Sequence, residues 1–188
     1  IPAIERNQVE YIISDMYKPY IAYAGTIFPN AVSLVDSFHV ISWLLNKINL
    51  YINDVKKRYQ AIDRKKLAEK NYKTNRDHKT IADSREVMML KNYHWILLKN
   101  TENINYVEKY HRFRGFGGMY MNTYQLEKMF LDLDPKFRDI RTLKEMYVTF
   151  NKEYVNRPDE AGTELDCLIE LYRESDIALF CEFADLIT

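Results

Sequence analysis

Glycine and proline are scarce in this sequence, five of each in 188 residues. That scarcity argues against a turn-rich all-β fold and favours long helices. Cysteine is scarcer still, with Cys167 and Cys181 alone. Two cysteines make no disulfide framework, so reduced, buried thiols in a cytosolic protein are expected. No run of eighteen apolar residues and no signal peptide occurs, which argues against a membrane span or secretion. His39, His78, His94 and His111 are scattered and the cysteines lie far off, so no zinc spacing arises. Neither a phosphate-binding loop nor a serine or cysteine nucleophile arrangement is present.

Net charge is also absent, with 27 Lys/Arg balancing 27 Asp/Glu. The balance hides a strong segregation. Residues 56–79 hold ten Lys/Arg against three Asp/Glu, and residues 159–188 hold nine Asp/Glu against one Arg. Such blocks are either solvated helix faces or, for the basic one, a nucleic-acid surface beside an acidic tail. Apolar residues make up 47% of the chain and tyrosine is common at fifteen, enough for a packed core. The length suits one domain, or one plus part of another. The chain opens on Ile-Pro, and an internal fragment is one expectation from that start.

Two short apolar runs near the start each end on a carboxylate. Residues 9–14, VEYIIS, read as a buried strand that stops at Asp15. Residues 16–27 read as a helix, with Pro19 tolerable in its first turn. Residues 31–35 read as a second strand, ending at Asp36. A helix between two strands is a connection long enough for a parallel crossover. Two strands cannot stand alone, and no further strands are evident. After Asp36 the pattern turns helical. A long amphipathic helix is expected over 38–59 with a basic continuation. Residues 84–100 contain an apolar patch around Trp95, and helices are expected over 135–151 and, as one acidic amphipathic helix, over 163–186. Between them, HRFRGFGGMY at 111–120 breaks any helix and reads as a loop.

Candidate functional residues follow from these placements. Asp15 at the carboxyl end of a strand stands where open sheets place ligands, and its oxygens suit a hard cation; the plain alternative is a helix N-cap. Asp36 and His39, three apart across a strand–helix junction, either brace a nearby site or serve as a cap and a satisfied histidine. Arg112 and Arg114, interleaved with Phe113 and Phe116, are candidates to grip or stack on nucleic acid.

Together, S-D-M-Y-K-P-Y at 14–20, F-P-N-A at 28–31 and V-D-S-F-H-V at 35–40 are more specific than their parts. At these separations they resemble the DDE transposases of bacterial insertion sequences, in the ISL-three-like group. That family carries D-M-x-x-x-Y, then F-P-x-A, then D-R-F-H; Ser37 replaces the usual Arg. L-K-N-Y-H-W-I-L-L-K-N at 90–100 resembles a second family segment, with His94 where Arg is usual. A fainter echo is Thr142-Leu143-Lys144-Glu145.

The resemblance implies a mainly helical chain with a small β element. Residues 1–36 would be a partial ribonuclease-H-like core and residues 37–188 an all-α insertion domain. Asp15 would be the second acid of a catalytic triad and a ligand of Mg²⁺ or Mn²⁺, with Asp36 and His39 supporting it. The family's first Asp and final Glu are not visible, since Glu164, Glu170 and Glu182 lack the expected context. The expectation is therefore a fragment inactive alone and holding no metal by itself. Its partner in the complete enzyme would be DNA, in the bacterial cytoplasm with no membrane role. Lys56, Lys57, Arg58, Arg64, Lys65 and Lys66, with Arg112 and Arg114, are the expected DNA contacts. The alternative is a non-enzymatic helical interaction or DNA-binding module, a transposon relic, self-associating through the acidic helix or the Trp95 region.

Overall fold

The structure is a computed structural model that describes residues 1–14, 17–69, 83–154 and 156–188. It is mainly helical with a few small strands, as expected. The chain divides into two compact units, Ile1–Asn46 with Ile187, and Lys47–Leu186 with Thr188.

The first unit opens with one helical turn, α1 (Ala3–Arg6), followed by β1 (Tyr11–Ser14), α2 (Lys18–Ile27) and β2 (Val32–Val35). Pro19 sits in the first turn of α2, where its missing N–H costs no helical bond. Pro29 disfavours helical geometry at Phe28, and α2 ends there with Phe28 N–H on the Ala24 carbonyl. β1 and β2 pair in parallel, from Tyr11 opposite Val32 to Ser14 opposite Val35. The helical crossover supplies the length that parallel pairing needs.

The burial of β1 differs from expectation. Tyr11 and Ile13 are 63% and 72% exposed, and Val32, Leu34 and Val35 are exposed on β2. Parallel strands are ordinarily covered on both faces, but among the described residues this sheet has two strands. Apolar pattern therefore marked strand identity correctly and burial wrongly.

α3 (Ser37–Glu69) begins in the first unit and continues into the second, longer than the expected 38–59. Its buried stripe of Leu44, Ile48, Ile52 and Val55 recurs at helical spacing. In the second unit follow α4 (Arg85–Asn92), α5 (Trp95–Leu98), a 3₁₀ turn (Thr101–Asn103), β3 (His111–Arg112), β4 (Tyr120–Met121), α6 (Thr123–Leu131), α7 (Phe137–Glu153), α8 (Pro158–Glu174) and α9 (Ala178–Ile187). Ser84 caps α4 through Val87 N–H, and Asn122 and Gln125 form a reciprocal capping box on α6. Phe130 stacks on Phe137 with centroids 5.4 Å apart, and Tyr147, Tyr172, Phe180 and Phe183 form an aromatic cluster.

Three further expectations are corrected. The segment read as a plain loop at 111–120 contains a short antiparallel ladder, β3 with β4, so further strands do exist. The single acidic helix over 163–186 is two helices. Ser175 is extended and its hydroxyl donates to the Tyr172 carbonyl, competing with helix continuation, while Ile177 turns into the core. Both cysteines are free, but Cys167 is exposed and Cys181 half-buried rather than buried.

Candidate functional site

β1 ends at Ser14, one residue before Asp15; β2 ends at Val35, one residue before Asp36. The ladder continues beyond the strands, because Asp36 N–H donates to the Ser14 carbonyl at 3.0 Å. The main chain thus holds Asp36 against the last residue of the neighbouring strand, at the carboxyl end of the sheet. Asp15 lies outside the described residues. Asp36 Oδ1 accepts the N–H of Phe38 at 2.9 Å, an N-cap bond that fixes the start of α3. His39 is exposed one residue further on; its N–H donates to the Asp36 carbonyl at 3.0 Å. Its ring meets Phe38 edge-on with centroids 5.7 Å apart. Asp36 and His39 are thus linked through the main chain at the helix start.

The basic residues of α3 fall into two groups. Lys56 donates to Asn53 at 2.6 Å, Lys57 pairs with Asp54 at 2.9 Å, and Arg58 pairs with buried Asp134 at 2.8 Å. Arg64, Lys65 and Lys66, nearer the end of α3, are exposed. The rest of the basic block, residues 70–79, lies outside the described residues. Arg112 and Arg114 are both exposed on the hairpin. The two phenylalanines beside them pack inward to different degrees. Phe116 is buried beneath the Arg85 guanidinium, and half-buried Phe113 packs edge-on against Tyr93. The exposed aromatic beside Arg112 is Tyr120, with the guanidinium 5.0 Å from its ring centroid. No sequence signal marked it, because a two-residue strand is too short for alternation to register.

The strand–helix–strand unit with its aspartates follows the pattern that pointed to transposases. The family model of the ISL3-type DDE transposases, described as transposase, matches residues 2–188. The chain belongs to that family. No curated protein and no solved structure matches it. The transposase family moves insertion sequences, so its general substrate is DNA, and its chemistry generally uses a divalent metal.

Among the described residues of this transposase chain, no group of three or more His, Cys, Asp or Glu could hold a metal ion. Asp36 supplies a hard oxygen donor, but one of its oxygens already accepts the capping N–H. The described residues alone do not fit a metal centre. Among them, no helix is long and apolar enough to cross a membrane.

Proposed function

We propose that this chain carries Asp15, the second catalytic carboxylate of a DDE transposase, on a partial ribonuclease-H-like core over residues 1–36. Residues 37–188 would form its helical insertion. The observation that supports the reading is the parallel β1–β2 pair joined by a crossover helix, with an aspartate directly after each strand. Groups that act on ligands collect beyond the carboxyl ends of such strands.

In this reading Asp15 would hold Mg²⁺ or Mn²⁺ in the complete enzyme, and the ion would supply Lewis-acid charge neutralisation for phosphoryl transfer. Asp36 and His39 are positioning residues. The Asp36 cap fixes the first turn of α3, and His39 rides on that turn. DNA is held in part by the exposed basic end of α3, in the bacterial cytoplasm. The 188 residues alone neither cut nor join DNA, because Asp15 is one acid of three.

The test is Asp15→Asn in a transposase that contains this segment, assayed for cleavage of a transposon end with Mg²⁺ or Mn²⁺. Cleavage should fall to background while duplex binding persists. Retained cleavage excludes the catalytic role of Asp15. Cleavage by the 188-residue chain, abolished by the same substitution, would overturn the claim that it is inactive alone.

A second reading, a self-associating module without catalysis, draws support from the exposed apolar residues Tyr11, Ile13, Val32 and Leu34. Sedimentation over a range of concentrations tests it. A chain that stays monomeric throughout rules it out.

A further inference from the structure

The hairpin in the second unit has a chemistry that phosphate neutralisation alone does not require. From residue 109 to residue 126 the chain carries Lys109, Arg112 and Arg114 and no acidic residue. β3 and β4 pair antiparallel, with His111 opposite Met121 and Arg112 opposite Tyr120. Side chains alternate across a strand, so the two pairs lie on opposite faces. Met121 is buried, which makes its face the inner one. Arg112 and Tyr120 therefore project together on the outer face. The Arg112 guanidinium lies 5.0 Å from the Tyr120 ring centroid, and Tyr120 remains 58% exposed.

The loop beneath them is pinned. Phe116 is buried, and Tyr93 hydroxyl donates to the Arg114 carbonyl at 2.7 Å. Gly115, Gly117 and Gly118 take positive φ, which lets the chain reverse between Arg114 and Met119. The Asn122–Gln125 capping box fixes the exit into α6. A supported hairpin thus displays Arg112, Arg114 and Tyr120 to solvent.

A duplex offers phosphates to such a surface but keeps its base faces stacked. An aromatic face gains most when a base is unpaired and can stack on it, with arginines on the flanking phosphates. We propose that the 109–121 hairpin binds unpaired DNA, with Tyr120 stacking on a base and Arg112 and Arg114 holding the backbone. The inference rests on the reading of this chain as a DNA-handling transposase and names the state of the DNA that the hairpin takes.

The test uses the 188-residue chain, a fluorescent oligothymidine strand and a blunt duplex of equal length, followed by anisotropy across a salt series. Tyr120→Ala should weaken single-strand binding about tenfold, the size of one base stack. Duplex affinity and the salt slope should stay unchanged, and Tyr120→Phe should restore single-strand binding. Arg112→Ala should instead shrink the single-strand salt slope by about 0.7, the value of one neutralised phosphate. Equal losses on both probes, or no loss with Tyr120→Ala, would overturn the inference. Binding of the single strand without the duplex would sink the α3 reading and keep the hairpin's. Binding of neither probe overturns both.

Discussion

Asp134 is 3% exposed and gathers donors from two parts of the second unit. Tyr51 hydroxyl donates at 2.9 Å, Arg58 Nη2 at 2.8 Å and the Lys136 N–H at 3.0 Å. A buried carboxylate survives only when its lone pairs are so engaged. Asp134→Ala leaves these donors without their acceptor and should destabilise the unit by about 2–3 kcal/mol, measured by urea unfolding. Burial raises the Tyr51 phenol above its ordinary value, and the nearby Asp134 charge raises it further. The same variant should therefore lower the Tyr51 titration in the ultraviolet. Lys144 is a second buried charge, 1% exposed, donating to the Lys99 carbonyl at 2.5 Å and pairing with Glu145 at 2.7 Å. Burial lowers its pKa below 10.5, with Arg141 adding to the effect and Glu145 opposing it. Between that lowered value and 10.5, the unfolded chain binds a proton that the folded chain does not. Stability must rise with pH across that window. Tyr51, Tyr59, Tyr93, Tyr147 and Tyr172 act in the opposite sense, all raised above 10.0 chiefly by burial. Above pH 10.0 their unfolded forms ionise first, so stability falls as pH climbs further. Lys144→Met should erase the rising limb and keep the falling one in unfolding curves from about pH 8 to about pH 11. A rising limb that survives the substitution belongs to another group. Neither node was legible in the sequence. Asp134 sits in L-D-P and Lys144 in T-L-K-E, and neither context marks a buried charge.

The hairpin shows how an element can be half legible. Its three glycines correctly excluded a helix, but its ladder is only two residues per strand, too short for alternation to register. The glycines are not equivalent. Gly117, at φ +58°, lies in the left-handed basin, and a Cβ there would meet nothing within 4 Å. Gly117→Ala should cost about 1 kcal/mol, the penalty of that conformation for an L-residue. Gly115, at φ +92°, lies outside the basin, and its Cβ would stand 3.3 Å from Met88 Cβ. Gly115→Ala should cost more than Gly117→Ala, so thermal unfolding should rank wild type above Gly117→Ala and that above Gly115→Ala. Equal losses would mean that Met88 gives way freely. The acidic helix failed for a different reason. Leu168, Tyr172, Leu179 and Phe183 keep nearly helical spacing across the break, so periodicity ran through Ser175 without registering it.

At the scale of the whole molecule, segregated charge was legible from composition, and its consequences depend on which cations the fold has already committed. Asp15 and Asp36 were singled out from strand ends and family spacing, because a strand that stops on a carboxylate is a local sequence pattern. A charged surface is not local: Arg58 and Arg64 look alike in sequence, yet Arg58 reaches Asp134, 76 residues away. The ion pair ties Arg58 to a buried carboxylate, whereas Arg64, Lys65 and Lys66 are exposed at the basic end of α3. Replacing those three together with Ala should weaken duplex binding and flatten its log–log salt dependence. The slope should shrink by about 0.9 for each phosphate no longer neutralised. Arg58→Ala should lower the unfolding midpoint while leaving that slope nearly intact. These two readouts separate the roles, because counterion release responds to phosphate neutralisation and not to the stability of the fold. A slope unchanged in the triple variant would place duplex binding away from this helix end, and a slope flattened by Arg58→Ala would mean that Arg58 leaves Asp134 to meet DNA.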